Sequence, residues 1–216
     1  PTDLRQNYDQ HSIKLLKVTD NGDFQFLVYG YMNRGKHEGE VGIAIISYDG
    51  ALNTIEEEIF IPYDKSEDIL INELKTLHYV NREDILFIML ERTAYSIDIT
   101  GRTYDIMMEQ TGDDAMYVSE SGKMIVWETS DNAYNCEELL LMDLETHSTA
   151  AIDSNPGDYI YPLGFIGDDL VYGTAHGYDI VKDASGNMIF PMYAIYIRNT
   201  AGAILKTYNP SDIYIV

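Results

Sequence analysis

Residues 139–154, LLLMDLETHSTAAIDS, read as one hairpin. A short apolar run ends at Asp143, a polar turn follows at Glu145-Thr146-His147, and a second strand segment runs through Ala150 and Ile152. Short apolar runs closed off by Asp, Thr or Gly are the pattern of strands joined by tight turns. Three other stretches share it: AIISYDGALNTIEEEI (44–59), AYSIDITGRTYDIMME (94–109) and YAIYIRNTAGAILKTY (193–208). Their turns are Tyr48-Asp49-Gly50, Thr100-Gly101-Arg102 and Thr200-Ala201-Gly202. With Gly50, Gly101, Thr146 and Gly202 as equivalents, successive copies lie 51, 45 and 56 residues apart.

A second hairpin precedes each of these: IKLLKVTDNGDFQFLVYG (13–30), LHYVNREDILFIMLE (77–91), MYVSESGKMIVWETS (116–130) and YPLGFIGDDLVYGT (161–174). Asn21-Gly22 reads as a two-residue hairpin turn, since both positions tolerate positive φ. Ser121-Gly122 and Gly167-Asp168 read the same way. Each unit is then four antiparallel strands, A-B-C-D in chain order. Helical periodicity is confined to EDILINELKTL (67–77), which also reads as a strand and a turn.

Four strands repeating every 40–55 residues or so resemble the blades of β-propeller repeat proteins, broadly those of bacterial cell-envelope and lipoprotein domains. The likeness is greatest over LLLMDLETHSTAAID (139–153), which matches the third and fourth strands of such a blade. No regular Trp-Asp dipeptide or Gly-Gly pair narrows the family, and no functional residue is carried over. The resemblance implies an all-β, propeller-like array of four-stranded blades over 13–63, 67–110, 114–155 and 159–208. Residues 1–12 form a lead-in, and 212–216, within NPSDIYIV, supply the first strand of a fifth blade. A β-sandwich is the alternative. The pattern starts and stops midway, so a single domain belonging to a larger chain is expected. So are an extracytoplasmic or cell-envelope location, with the cytoplasm as alternative, and self-association through open blade edges.

The 216 residues carry 36 acidic and 14 basic side chains, a formal net charge of -22. Such a surface repels phosphate backbones, which excludes a nucleic-acid reading. The apolar runs are all shorter than the roughly 18–20 residues a membrane helix needs, so no membrane insertion is expected of this segment. Residue 1 is Pro, which points to a processed or truncated piece. The lone Cys136 cannot form an internal disulfide. Eighteen tyrosines suit half-buried strands, and also protein- or glycan-binding faces.

Propeller topology puts the B–C and D–A connections on one face. The B–C connections are MNRGKHEGE (32–40), ERT (91–93), SDNAYNCEE (130–138) and the long AHGYDIVKDASGNMIFP (175–191). Loops longer than a turn requires are where function concentrates. The ligand-binding candidates are therefore Arg34, Lys36 and His37 in the first loop and His176, Tyr178 and Asp179 in the last. The first group suits an anionic or carboxylate-bearing ligand; alternatively it is a solvated hairpin tip in which Arg34 and Lys36 pair loosely with Glu38 and Glu40.

Other chemistry is poorly supported. His37-Glu38 lacks the second histidine of a helical zinc motif, and no cofactor or metal is expected. TDNGD (19–23), TGDD (111–114) and IGDD (166–169) fit turns rather than a twelve-residue calcium loop. Cys136 stands beside Glu137 and Glu138, which oppose a thiolate. GTAHG (173–177) lacks the lysine and the strand-to-helix context of a phosphate loop, and no Gly-x-Ser-x-Gly elbow occurs. Tyr159 and Tyr161 share a strand face, either a half-buried sheet face or a sugar platform. A non-catalytic binding or scaffold module recognising a protein or glycan through the B–C face is the leading reading. A propeller-type glycoside hydrolase or lyase and an architectural segment of an envelope protein are the alternatives.

Overall fold

The computed structural model describes residues 11–109, 115–132, 134–210 and 213–215. The chain falls into two compact units, Pro1–Glu109 and Gln110–Val216. Each holds two four-stranded antiparallel sheets whose strands follow one another in chain order. In the first unit, β1 (His11–Val18), β2 (Phe24–Tyr31), β3 (Val41–Asp49) and β4 (Thr54–Pro62) form one sheet. A short helix α1 (Glu67–Glu73) leads to the next sheet, β5 (His78–Val80), β6 (Ile85–Leu90), β7 (Thr93–Asp98) and β8 (Thr103–Glu109). In the second unit, β9 (Met116–Val118), β10 (Met124–Glu128), β11 (Glu138–Asp143) and β12 (Ser148–Asp153) form the third sheet. The fourth is formed by β13 (Asp158–Ile166), β14 (Asp169–His176), β17 (Ala194–Arg198) and β18 (Ile204–Tyr208), and between β14 and β17 the chain makes a separate two-stranded ribbon of β15 (Val181–Lys182) and β16 (Met188–Ile189). The fold is all-β, and the blade pattern read from the repeat is realised four times as self-contained meanders. Of the proposed fifth-blade strand, Ile215 forms an antiparallel bridge with Met192; residues 212 and 216, like TGDD at 111–114, lie outside the described residues.

The repeat has a physical origin in the C–D turns. Asp49 Oδ1 accepts hydrogen bonds from the Ala51 and Leu52 amides (2.9 and 2.8 Å), and Asp98 Oδ1 from the Gly101 amide (2.7 Å). Asp143 Oδ1 accepts from the Glu145 and Thr146 amides (2.8 and 3.2 Å), and Asn199 Oδ1 from the Ala203 amide (2.8 Å). A short side chain capping its own turn is the Asx motif. The residue leading into the fourth strand is left-handed each time: Asn53 (φ 52°), Arg102 (55°), His147 (57°) and Gly202 (87°). The structural repeat is therefore marked by positions 53, 102, 147 and 202, not by Gly50, Gly101 and Thr146. Gly50 is small for another reason: a Cβ there would lie 2.7 Å from the Gly22 carbonyl oxygen.

The A–B turns depart from the two-residue expectation. Gly22 (φ 83°) and Gly122 (φ 75°) alone are left-handed in their turns, which span 19–23 and 119–123. Thr19 Oγ1 takes the Asp23 amide (3.3 Å) and Ser119 Oγ the Met124 amide (3.1 Å), and these side-chain acceptors favour the longer loops. Of the three glycine-bearing A–B turns only Gly167-Asp168 is a true two-residue turn, between the paired Ile166 and Asp169. The acidic turns are consumed by hydrogen bonding. Asp23 Oδ1 accepts the Gly50 amide (2.9 Å), and Asp168 Oδ1 accepts from Ser121 Oγ (2.6 Å).

Burial explains why some strands alternate and others do not. β6 (ILFIML) and β10 (MIVWE) are almost wholly buried, hence their unbroken apolar runs, whereas β12 and β18 are almost wholly exposed. In the first unit Leu27, Ile43, Ile45, Leu86, Ile88 and Ile97 form the core, closed by Leu70 and Leu74. The 67–77 stretch thus resolves as a helix over Glu67–Glu73, with Leu70, Leu74 and Leu77 buried and Ile69 exposed. Lys14 contacts His78, and Lys17 meets Asp84 at 2.5 Å, joining β1 to the second sheet's first hairpin. In the second unit Val126, Leu139, Leu141, Ile160 and Leu170 form the equivalent core, and buried Cys136 belongs to it.

Candidate functional site

The first long loop, 32–40, folds back on its own sheet. The Met32 amide donates to the Glu40 carbonyl and the Gly39 amide to the Met32 carbonyl, both at 2.8 Å. Gly35 (φ 88°) and Gly39 (φ 95°) supply the left-handed positions. His37 lies flat on Phe60 of β4 (ring centroids 3.6 Å apart, planes at 11°). Glu57, also on β4, accepts from Lys36 Nζ and His37 Nε2, both at 3.0 Å. Burial pushes the Glu57 carboxyl up, but these two donors and their charge outweigh it and hold it below the usual carboxylate range. Lys36 therefore pairs with Glu57, not with Glu38 or Glu40 as the sequence suggested. Its side chain is 77% exposed, so the pair is weak. Arg34 is exposed and forms no ion pair among the described residues.

The last loop, 175–191, is organised outward. His176 ends β14 and its Nδ1 meets Asp158 Oδ1 at 2.7 Å. Tyr193 Oη donates to Asp158 Oδ2 at 2.8 Å, and Asn155 Nδ2 donates to the same oxygen at 3.4 Å. Burial of Asp158 opposes its charge, yet the donors His176, Tyr193 and Asn155 prevail and hold its carboxyl below the usual range. Burial raises the Tyr193 phenol. The imidazole of His176 is sandwiched between two tyrosine rings, Tyr193 (4.4 Å, 18°) and Tyr178 (5.2 Å, 9°). Gly177 admits this turn because a Cβ would lie 3.0 Å from Tyr159 and 3.1 Å from the Gly157 carbonyl oxygen. Tyr178, at the end of the stack, is 80% exposed. Next to it Asp179 Oδ2 accepts from Tyr214 Oη at 3.2 Å.

The remainder of the loop covers the sheet. Phe190 and Met192 pack with Tyr159, Tyr161, Ile180 and Ile215. The shared face of Tyr159 and Tyr161 is thus partly buried beneath this loop. Tyr134, from the 130–138 connection, stacks on Tyr161 (6.1 Å, 1°) and reaches Phe190 (6.4 Å), so these two B–C connections meet. Cys136 in that connection is 0% exposed and its Sγ donates to the Glu138 carbonyl at 2.9 Å. Burial pushes its thiol up, so the direction expected from the sequence holds but the cause is the core, not Glu137 and Glu138.

The first unit also has a cleft of about 670 Å³ between β4 and the second sheet, lined by Ile59, Ile61, Pro62, Ile88, Tyr95 and Arg102. The Arg102 guanidinium at its edge is held by Glu56 (2.9 Å) and Glu58 (3.1 Å). None of the sequence-derived site residues lines it. Among the described residues, no group of three His, Cys, Asp or Glu is arranged to hold a metal ion. No described helix is long and apolar enough to cross a membrane.

Within the first unit the structure brings Lys36 and His37 onto Glu57, and within the second it brings His176, Tyr178 and Asp179 together with Asp158, Tyr193 and Tyr214. Sequence reading missed Asp158. Counting back from the turn at Gly167-Asp168 in regular register would set Tyr159 opposite His176; the bulge between Pro162 and Gly164 shifts the pairing by one residue and makes Asp158 the cross-strand partner, so the sequence alone did not point to it.

No protein-family model matches the sequence, and no curated protein matches it. Among solved structures, the β-propeller domain of the Trilobed protease from Pyrococcus furiosus is similar at 10% identity and a TM-score of 0.39, covering 95% of this chain and 59% of that one. The tricorn protease is similar at 10% identity and a TM-score of 0.38, covering 93% of this chain and 21% of that one. The Pyrococcus horikoshii acylaminoacyl peptidase gives 10% and 0.37, covering 98% and 34%. This chain spans less than two thirds of each, and at this level nothing about activity passes between them.

Proposed function

We propose that this chain is a binding module that recognises a protein or a glycan through the B–C connections of its second unit, centred on the 175–191 loop. One observation carries the reading. Asp158 locks His176 and Tyr193 into a ring stack that presents Tyr178 to solvent at 80% exposure. A buried carboxylate spent on orienting an exposed aromatic is a preorganised contact surface, and preorganisation lowers the cost of binding. The proposal includes a location outside the cytoplasm or in the cell envelope, an expectation drawn from the sequence resemblance alone, which fractionation of the native host would check.

The test replaces Tyr178 by Ala and, separately, residues 177–189 by a short turn, then screens wild type and variants against glycan and peptide arrays. The reading predicts that binders of the wild type are lost in both variants while the fold persists. Retention of every binder by both would overturn it.

A second reading, the architectural one, draws on the first sheet. Ile13, Leu15, Val18 and Ile55 are 60–68% exposed on β1 and β4. They stand in cross-strand rows with Phe24, Phe26, Val28, Ile46 and Tyr48. Exposed apolar faces of this kind mark association sites. Self-association through this face predicts a concentration-dependent dimer in sedimentation, abolished by Leu15→Glu.

A further inference from the structure

We infer that the 175–191 loop takes a cationic side chain of a protein partner, an arginine best, seated on the outer face of Tyr178 and paired with Asp179 beside Tyr214. The inference rests on the binding reading above and names the chemistry of its ligand. Three observations carry it. One face of Tyr178 is covered by His176 at 5.2 Å, and the ring is otherwise 80% exposed, so its outer face is free for a planar group. Tyr214, 51% exposed, donates to Asp179 Oδ2, which fixes the carboxylate beside a second aromatic ring and leaves Oδ1 with no hydrogen bond among the described residues. Finally, the chain carries a net charge of -22, so the field around this loop attracts cations and repels anions.

The ligand class follows from the chemistry of these groups. An aromatic face attracts a guanidinium or ammonium through its quadrupole. The carboxylate of the next residue, Asp179, can take a guanidinium's paired N–H donors, which a lysine ammonium cannot match in plane. The charge of Asp179 and its hydrogen bond raise the Tyr214 phenol, so Tyr214 stays a neutral donor to it. Lys182 lies two residues beyond Ile180 on exposed β15, and it is the loop's one lysine or arginine. A neutral sugar could stack on Tyr178 but would gain little from the global charge. The electrostatics favour the basic side chain.

The experiment titrates the full chain, followed by NMR, with three probes: an acetylated and amidated peptide Gly-Gly-Arg-Gly-Gly, the same peptide with citrulline for arginine, and a β-linked glucose oligosaccharide. Citrulline keeps the shape of arginine and removes its charge. The arginine peptide is expected to shift loop resonances, with citrulline about tenfold weaker or more, and affinity falling as salt rises from about 50 to about 300 mM. Tyr178→Ala should weaken the arginine peptide by about threefold to thirtyfold, while Tyr178→Phe, which keeps the ring, should leave it nearly unchanged. Asp179→Asn should weaken it about tenfold with melting unaltered. Equal binding of the arginine and citrulline peptides, or no binding of the arginine peptide, overturns the inference. If the oligosaccharide binds instead and is lost in Tyr178→Ala, the cationic ligand is wrong and the binding module stands. If the arginine peptide binds elsewhere, untouched by either substitution, the inference is overturned, and the binding reading is judged separately by whether any array binder is lost in Tyr178→Ala.

Discussion

The B–C loops of the first and fourth sheets both drew attention in the sequence, one for its positive charge and the other for its length. The structure treats them in opposite ways. The 32–40 loop spends its charge inward: Lys36 and His37 converge on Glu57, and His37 lies flat on Phe60. The 175–191 loop uses a buried charge, Asp158, to hold rings outward, and its outermost ring is exposed. A local concentration of charge in an acidic chain is thus neutralised by the nearest strand. Excess length allows a loop to build a ribbon of its own and to lift side chains away from the sheet.

This contrast can be broken in several ways. The largest expected effect is at Asp158. Its replacement by Ala leaves His176 and the Tyr193 hydroxyl without their acceptor, a loss of about 2–3 kcal/mol. Urea unfolding followed through Trp127 of β10, the lone tryptophan, reads it in the same unit; a loss under about 0.5 kcal/mol would mean that the stack holds itself.

Acidification should act in the same direction in both loops. Asp158 and Glu57 are held below the usual carboxylate range in the folded protein. Each therefore contributes stability that is present above the ordinary carboxylate pKa and is lost as pH falls through its lower folded value, below about pH 4. The wild type should lose more stability between about pH 7 and about pH 3 than Asp158→Asn does. Parallel losses in the two proteins would show that Asp158 titrates as it does in the unfolded chain.

Smaller effects belong to the first loop. Glu57→Gln keeps one acceptor for Lys36 and His37 but removes the charge, and it should cost about 0.5–1 kcal/mol by urea unfolding followed by circular dichroism, which reports on both units. A cost above about 2 kcal/mol would put the bracing of this loop on a par with that of the fourth sheet's loop. Smallest of all, Arg34→Ala with Lys36→Ala should leave the melting temperature within about a degree or two, because exposed charges contribute little. A collapse in melting would show the tip to be structural.

The strands and their grouping were legible from the sequence because short-range rules produce them. Asp49, Asp98, Asp143 and Asn199 cap their own turns, and ILFIML and MIVWE carry no polar face because none is solvated. The turn lengths were less legible. Thr19 and Ser119 recruit amides four or five residues away, which lengthens loops that Asn21-Gly22 and Ser121-Gly122 alone would close in two. The candidate loops were located, but their workings were not. Nothing in MNRGKHEGE points to Glu57, twenty residues from His37, or to Phe60 beneath it. Cys136 reads as part of a polar loop and is a core residue, because burial depends on neighbours such as Ile152 and Ile160 that the chain brings from afar.

What the sequence by itself determined is the four-strand repeat, since period-two alternation and turn capping act within a few residues. Only the tertiary structure decided which charges are spent and which are offered. Whether a carboxylate neutralises a loop, as Glu57 does, or braces an exposed aromatic, as Asp158 does, depends on which strand lies across from it. Hydrogen bonds and ring contacts of a few ångströms depend on that placement and not on distance along the chain.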